Sequence, residues 1–211
     1  MEPQLIIFDL DGTLIDSRAD LAAGVNHMRN HFGLESLPLE TVSGYIGNGV
    51  RKLVERSLQG AAVDVDEALQ LNKDYYFSHL TVHTTLYDGV EDGLKQLVGA
   101  GHQIAILTNK PGEPSREIMK DFGLDHLFTA IIGGGDVPNL KPEPDGVFQC
   151  LERAGMDKSA AWMVGDHYTD LAVGQHAGVR SVLVEYGFGE AKGYKPDAQF
   201  ASFPELVGYF V

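Results

Sequence analysis

The sequence predicts an α/β fold, an open parallel sheet with helices on both faces, with a smaller all-helical domain inserted after the first strand. Three observations point there. Short apolar runs recur along the chain, longer amphipathic stretches separate them, and one block near the N-terminus carries helical patterning alone. At 211 residues the chain has room for one ordinary domain and a modest second one.

The apolar run Leu5–Phe8 has the length of a buried strand and opens the sheet. From about Asp16 to His83 the pattern changes. Leu21, Val25 and Met28, then Leu53, Val54 and Leu58, then Leu69, Leu71, Tyr75 and Tyr76 all recur at helical spacing. Gly60-Ala61-Ala62 and Thr84-Thr85 read as loops. The expected division is therefore an inserted helical domain over residues 16–83 and a core made of 1–15 and 84–211.

Beyond the insert the alternation resumes. A helix over 90–100 presents Val90, Leu94, Leu97 and Val98 on one face, and Ile104–Leu107 follows as a strand. A helix over 114–122 carries Ile118, Met119 and Phe122, ahead of a strand at 130–132. Val147, Phe148, Leu151 and Ala154 mark the next helix, and Trp162–Val164 and Val182–Val184 the last two strands. Phe200, Phe203, Leu206 and Phe210 are expected to pack on the sheet. Strand–helix repetition of this kind makes a parallel sheet covered on both sides.

Ligands of such sheets bind beyond the carboxyl ends of the strands. Asp9, Asp11, Gly12 and Thr13 follow the first strand, and Thr108, Asn109 and Lys110 the second. Gly133, Gly134, Gly135 and Asp136 follow the third, with Lys141 just beyond, and Gly165, Asp166 and Asp170 the fourth. A lone aspartate there is often a turn former or a helix cap. Several carboxylates on one rim repel one another unless a cation joins them. Hard oxygen ligands point to Mg²⁺. Lys141 and Thr108 are suited to hold phosphoryl oxygens, a carboxylate facing such a group is a nucleophile, and a second can move a proton to the leaving oxygen.

These residues also carry a family resemblance. Phe8-Asp9-Leu10-Asp11-Gly12-Thr13-Leu14-Ile15-Asp16-Ser17, Thr108-Asn109-Lys110-Pro111, Lys141-Pro142-Glu143-Pro144, and Gly165-Asp166 with Asp170 resemble, in order, the four signatures of the haloacid dehalogenase superfamily in its phosphatase form. The helical insert matches the cap these proteins carry. The resemblance implies Asp9 as nucleophile and Asp11 as general acid/base. It implies Mg²⁺ held by Asp9, the main-chain carbonyl of Asp11 and Asp166, with Asp170 in support, and phosphoryl binding by Thr108, the Asn109 backbone and Lys141. Asp16-Ser17, Gly47-Asn48-Gly49-Val50, Thr108–Pro111 and Gly133–Asp136 further resemble phosphoglycolate phosphatases. Gly47, Asn48 and Gly49, with Arg51 nearby, are then expected to read the substrate, since glycines opening a helix can expose N–H groups to an anion. His167 and Asp88 depart from the usual serine and proline. Alternatives within the family are a pyrophosphatase, a nucleotide or sugar-phosphate phosphatase, or a mutase. Outside it, a phospho-aspartate signalling domain uses similar residues but is shorter and has no helical insert.

Charge and composition bound the partners. A formal net charge of −14 disfavours nucleic acid and anionic lipid, so an anion site must be locally positive. The expected partner is a small phosphorylated metabolite, with the protein a monomer or homodimer. No apolar run approaches the ~18–20 residues that span a membrane. The opening residues lack a basic-then-apolar leader, and the expected location is cytoplasmic. Cys150 alone forms no internal disulfide and reads as a small core residue. His27 and His31 lack the glutamate of a zinc helix, and Gly187, Gly189 and Gly193 read as a flexible loop.

Overall fold

The computed structural model describes residues 2–211. Its main sheet has six parallel strands: β1 (Leu5–Phe8), β4 (Gln103–Pro111), β5 (Ala130–Gly134), β6 (Ala161–Gly165), β7 (Arg180–Val184) and β8 (Ala198–Phe200). Their spatial order is β5-β4-β1-β6-β7-β8. The strand β1 lies in the middle, in register with β4 on one side and β6 on the other, and is wholly buried. Successive side chains of a strand point to opposite faces. Accordingly Ile6 and Phe8 join one core layer, with Leu94 and Leu97 of α5 (Val90–Gly99), Ile118 of α6 (Gly112–Asp121) and Phe203 and Phe210 of α9 (Phe203–Phe210). Leu5 and Ile7 join the other, with Val147 and Cys150 of α7 (Asp145–Ala154) and Val173 and Ala177 of α8 (Tyr168–Ala177).

The helical block comprises α1 (Arg18–His31), α2 (Leu39–Ser43), α3 (Val50–Ser57) and α4 (Val65–Phe77). It buries its own apolar clusters. Leu21, Val25, Val42, Leu53 and Tyr76 form one, and Met28, Val54, Leu58 and Ala68 the other. Two short strands, β2 (Ile15–Asp16) and β3 (Thr85–Leu86), pair antiparallel where the chain leaves the sheet and returns. Asp20 pins that neck: its carboxylate accepts from the His83 and Thr84 amides and the Thr84 hydroxyl at 2.8–3.1 Å.

Several local expectations change. Thr85 is part of the neck ribbon rather than a loop, because Asp16 pairs with it. Phe200 lies in the edge strand β8, too short to stand out as an apolar run. Val98 and Phe148 are 37% and 49% exposed. Each follows a buried residue, Leu97 or Val147, and a helix turns about 100° per residue, carrying them off the packed stripe. Cys150 is buried, and burial pushes its thiol up to about 12, an inert core position. No helix among the described residues is long and apolar enough to cross a membrane.

Candidate active site

Four strand ends meet beneath the helical block. Asp9 follows the central strand β1 directly, and Asp166 follows its neighbour β6, so parallel pairing alone sets the two carboxylates side by side. The first turn of α8 adds Asp170. Oxygen atoms of Asp9, Asp166 and Asp170 all lie within 4.8 Å of one another, and all three residues are buried. The Asp11 carboxylate is not one of that group.

The cluster is electrostatically strained. Burial pushes the Asp9 carboxyl up to about 6, while Lys141 pulls it down and Asp170 pushes it up again. Burial, then Asp170 and Asp9, push Asp166 up to about 8, against the pull of the Gly189 and Phe188 amides. The Lys141 ammonium sits among them, 2.9 Å from Asp9 Oδ1, 2.6 Å from Asp170 Oδ1 and 2.8 Å from the Leu107 carbonyl. An ammonium has three donors, and these contacts use all of them. Burial works against its charge, but Asp170 and Asp9 outweigh it and raise its pKa. Asp170 is held on its other oxygen by the His167 amide at 3.0 Å.

Asp11 belongs to a second group. Lys110 Nζ donates to its two oxygens at 2.9 and 3.1 Å, and the Ser17 hydroxyl to Oδ1 at 2.5 Å. The Lys110 ammonium lies 4.7 Å from the centre of the Tyr76 ring, a contact from the helical block. Burial opposes its charge, yet Asp11 and Tyr76 carry the net shift upward. Neither Lys110 nor Ser17 was assigned a role from sequence. The signal was present, since alternation along a strand turns Thr108 and Lys110 to one side.

A cavity of about 110 Å³ opens over these groups. Asp9, Asp11, Thr108, Asn109, Lys110, Asp166 and His167 line it from the core, and Ile46 and Gly47 from the helical block. Thr108 is buried, and its hydroxyl accepts from the Lys110 amide at 3.2 Å. Asn109 works as a tie: its side-chain amide donates to the carbonyls of Gly47 and Lys141 at 2.9 and 3.0 Å, and its oxygen accepts from the Lys141 amide at 2.8 Å.

The four residues expected to read the substrate separate. Gly47 lines the cavity at φ 105°, and a Cβ there would lie 2.8 Å from the His167 ring, so only glycine fits. Asn48 donates to the Tyr168 hydroxyl at 2.9 Å, bridging helical block and core. Gly49 precedes α3 and lines an adjoining apolar cleft with Leu53 and Tyr76. Arg51 does not reach the site. Its exposed guanidinium pairs with Asp66 on the outer surface. Arg56, five residues on and about 140° around the helix, faces inward and donates to Asn48 Oδ1 at 2.8 Å and the Tyr45 carbonyl at 3.0 Å.

Two further expectations are corrected. Asp136 turns from the rim to Arg116, 2.7 Å away. The first part of the loop after β7, with Gly187 and Gly189 but not Gly193, is clasped to the site, the Phe188 and Gly189 amides donating to Asp166 Oδ2 at 2.9 and 2.7 Å. Gly187 packs so closely that a Cβ would lie 2.4 Å from Asp166. His167 lines the cavity, and burial pushes its pKa down to about 4, leaving a neutral imidazole near neutral pH.

Comparison with known proteins agrees with this arrangement. The phosphoglycolate phosphatase of Psychrobacter arcticus is 35% identical, covering all of this chain and 97% of that protein. That of Neisseria meningitidis is also 35% identical, over 96% of this chain and 92% of its own. A crystal structure described as a predicted phosphoglycolate phosphatase from Haemophilus somnus superposes with a TM-score of 0.94 at 29% identity, over 100% and 99% of the two chains. Residues 6–184, which span all four strand ends and the helical insert, match the family described as haloacid dehalogenase-like hydrolase. With its rim of aspartates on that shared framework, the chain belongs to the haloacid dehalogenase-like hydrolases.

Proposed function

We propose that the protein hydrolyses 2-phosphoglycolate to glycolate and phosphate, with Asp9 as the nucleophile and Mg²⁺ as the metal. The observation that carries this reading is the paired environment of the first two aspartates. Asp9 sits in the three-carboxylate cluster against Lys141, and Asp11 sits apart, held by Lys110 and Ser17. The substrate follows from the names of relatives that are alike along their whole length.

The donor set suits Mg²⁺: three buried carboxylates crowded together, with the pKa values of Asp9 and Asp166 raised, and hard oxygen ligands throughout. Asp9, Asp166 and the Asp11 carbonyl would hold it, with Asp170 bracing from behind. Once bound, it neutralises charge at the phosphoryl group.

The Asp9 carboxylate attacks phosphorus, forming an aspartyl phosphate as the alkoxide leaves. Asp11, held in position by Lys110 and Ser17, delivers a proton to that alkoxide and later takes one from the water that attacks the acyl phosphate. Thr108, Asn109 and Lys141 flank the phosphoryl position. In this reading residues 16–83 form a cap that screens the cavity from water, over a core of 1–15 and 84–211.

The test is steady-state hydrolysis of 2-phosphoglycolate, pyrophosphate, a nucleoside monophosphate and a sugar phosphate, with Mg²⁺ and with a chelator. The highest kcat/KM should belong to 2-phosphoglycolate, and the chelator should abolish it. Turnover led by pyrophosphate or a sugar phosphate refutes the substrate, and full activity in chelator refutes the metal.

A further inference from the structure

We propose that Lys192, on the loop after β7, is the specificity-determining residue that receives the carboxylate of the substrate; this rests on the phosphoglycolate reading above. That substrate has two anionic ends. The phosphate end is served by the metal and the groups around Asp9, which leaves a carboxylate to be neutralised in a protein of net charge −14.

The cations near the cavity can be taken in turn. Lys110 is closed on Asp11, and Lys141 on Asp9 and Asp170. Arg51 is committed to Asp66 outside. Arg56 is held by the Asn48 oxygen and the Tyr45 carbonyl, where it shapes the turn before α3. Lys192 lines the cavity, and no carboxylate among the described residues lies within ion-pair distance of it. Its ammonium rests 4.4 Å from the centre of the Tyr168 ring, a weak partner that an incoming carboxylate outcompetes.

Lys192 is exposed, and its setting holds the backbone that carries the cation. Lys192 has a backbone φ of 46°, the one positive value outside glycine among the described residues. A non-glycine residue is kept there only when its surroundings over-determine it. The loop is clasped to Asp166 through the Phe188 and Gly189 amides, and the Glu190 carbonyl accepts from the Tyr168 amide at 2.8 Å. Tyr168 in turn accepts from Asn48 across the cleft. Lys192 thus stands where the helical block and the core meet. Asp9, His167 and Lys192 all line the one cavity, so the nucleophile and the proposed carboxylate site share it. Glu190 also lines the cavity and opposes an anion, which sharpens the need for a free cation.

The experiment compares 2-phosphoglycolate with ethyl phosphate, which has the same length and phosphoester but no carboxylate. The readout is the ratio of their kcat/KM values measured on one preparation, which is insensitive to the fraction folded. In Lys192→Met the ratio should fall about 10- to 100-fold, as expected for losing one charge-assisted contact. Lys192→Arg should restore most of it. A ratio unchanged in Lys192→Met, or a loss shared equally by both substrates, overturns the assignment of Lys192. A wild-type protein that does not favour 2-phosphoglycolate over ethyl phosphate overturns the phosphoglycolate reading itself, a separate outcome.

Discussion

Replacing Asp166 by asparagine should make the metal-free protein more stable while destroying its response to Mg²⁺. The substitution keeps the shape and an oxygen to accept from the Phe188 and Gly189 amides, and removes one negative charge from a buried trio. Asp166 has its pKa raised from 3.8 to about 8, by burial first and then by Asp170 and Asp9. In the unfolded chain it ionises near 4, so between the two values the folded state holds a proton that the unfolded state does not. Stability from this group is therefore full below about pH 4 and is lost as pH rises towards 8. At 1.36 kcal/mol per unit, the loss by pH 7 is on the order of 4 kcal/mol. At about 2–4 °C per kcal/mol for a chain of this size, Asp166→Asn should raise the metal-free Tm at pH 8 by roughly 10 °C. At pH 4.5 the gain should nearly vanish. Wild-type protein should gain more from Mg²⁺ at pH 8 than at pH 5, and calorimetry near pH 7 in buffers of different ionisation enthalpy should detect protons released on Mg²⁺ binding. An Asp166→Asn protein less stable than wild type at pH 8, or a Mg²⁺ shift independent of pH, refutes the electrostatic reasoning.

Further expectations can be checked together. Asp9→Asn should abolish turnover of every substrate, because no carboxylate remains to attack phosphorus. Asp11→Asn mixed rapidly with p-nitrophenyl phosphate should release a burst of about one nitrophenol per site and then turn over slowly, since that leaving group needs no proton but the acyl phosphate still needs its base; a phosphorylated protein should appear by mass spectrometry after acid quench. Lys110→Met leaves Asp11 without its buried partner and should cost roughly 3–5 kcal/mol of stability in denaturant titration, with slower turnover of alkyl than of aryl phosphates. Gly47→Ala, strained at φ 105° and driven against the His167 ring, should lower kcat/KM by about tenfold or more, with a far-UV spectrum like that of wild type.

The sequence by itself determined the layered α/β core and the acidic rim. Ile6 and Phe8 against Leu5 and Ile7 read as a strand buried on both sides, and residues just past such strands fall at one edge of the sheet whatever the details. Asp9, Thr108, Lys141, Asp166 and Asp170 were legible because main-chain pairing of β5, β4, β1 and β6 brings the strand ends they follow together. Only the tertiary structure decided where the long charged side chains point. Arg51 and Arg56 are five residues apart on α3, about 140° around the helix, with the same chemistry, so spacing turns them different ways without saying which faces in. One meets Asp66 outside and the other Asn48 within, a choice made by how α3 is rotated against its neighbours. Lys110 reaches Asp11 across 99 positions, and the clasp on Asp166 comes from amides 22 and 23 residues away. Asp136 looks like a rim acid until Arg116 takes it. Periodicity reports which side of an element is apolar, but the partner of a charge is set by distance in space, and that exists only once the chain has folded.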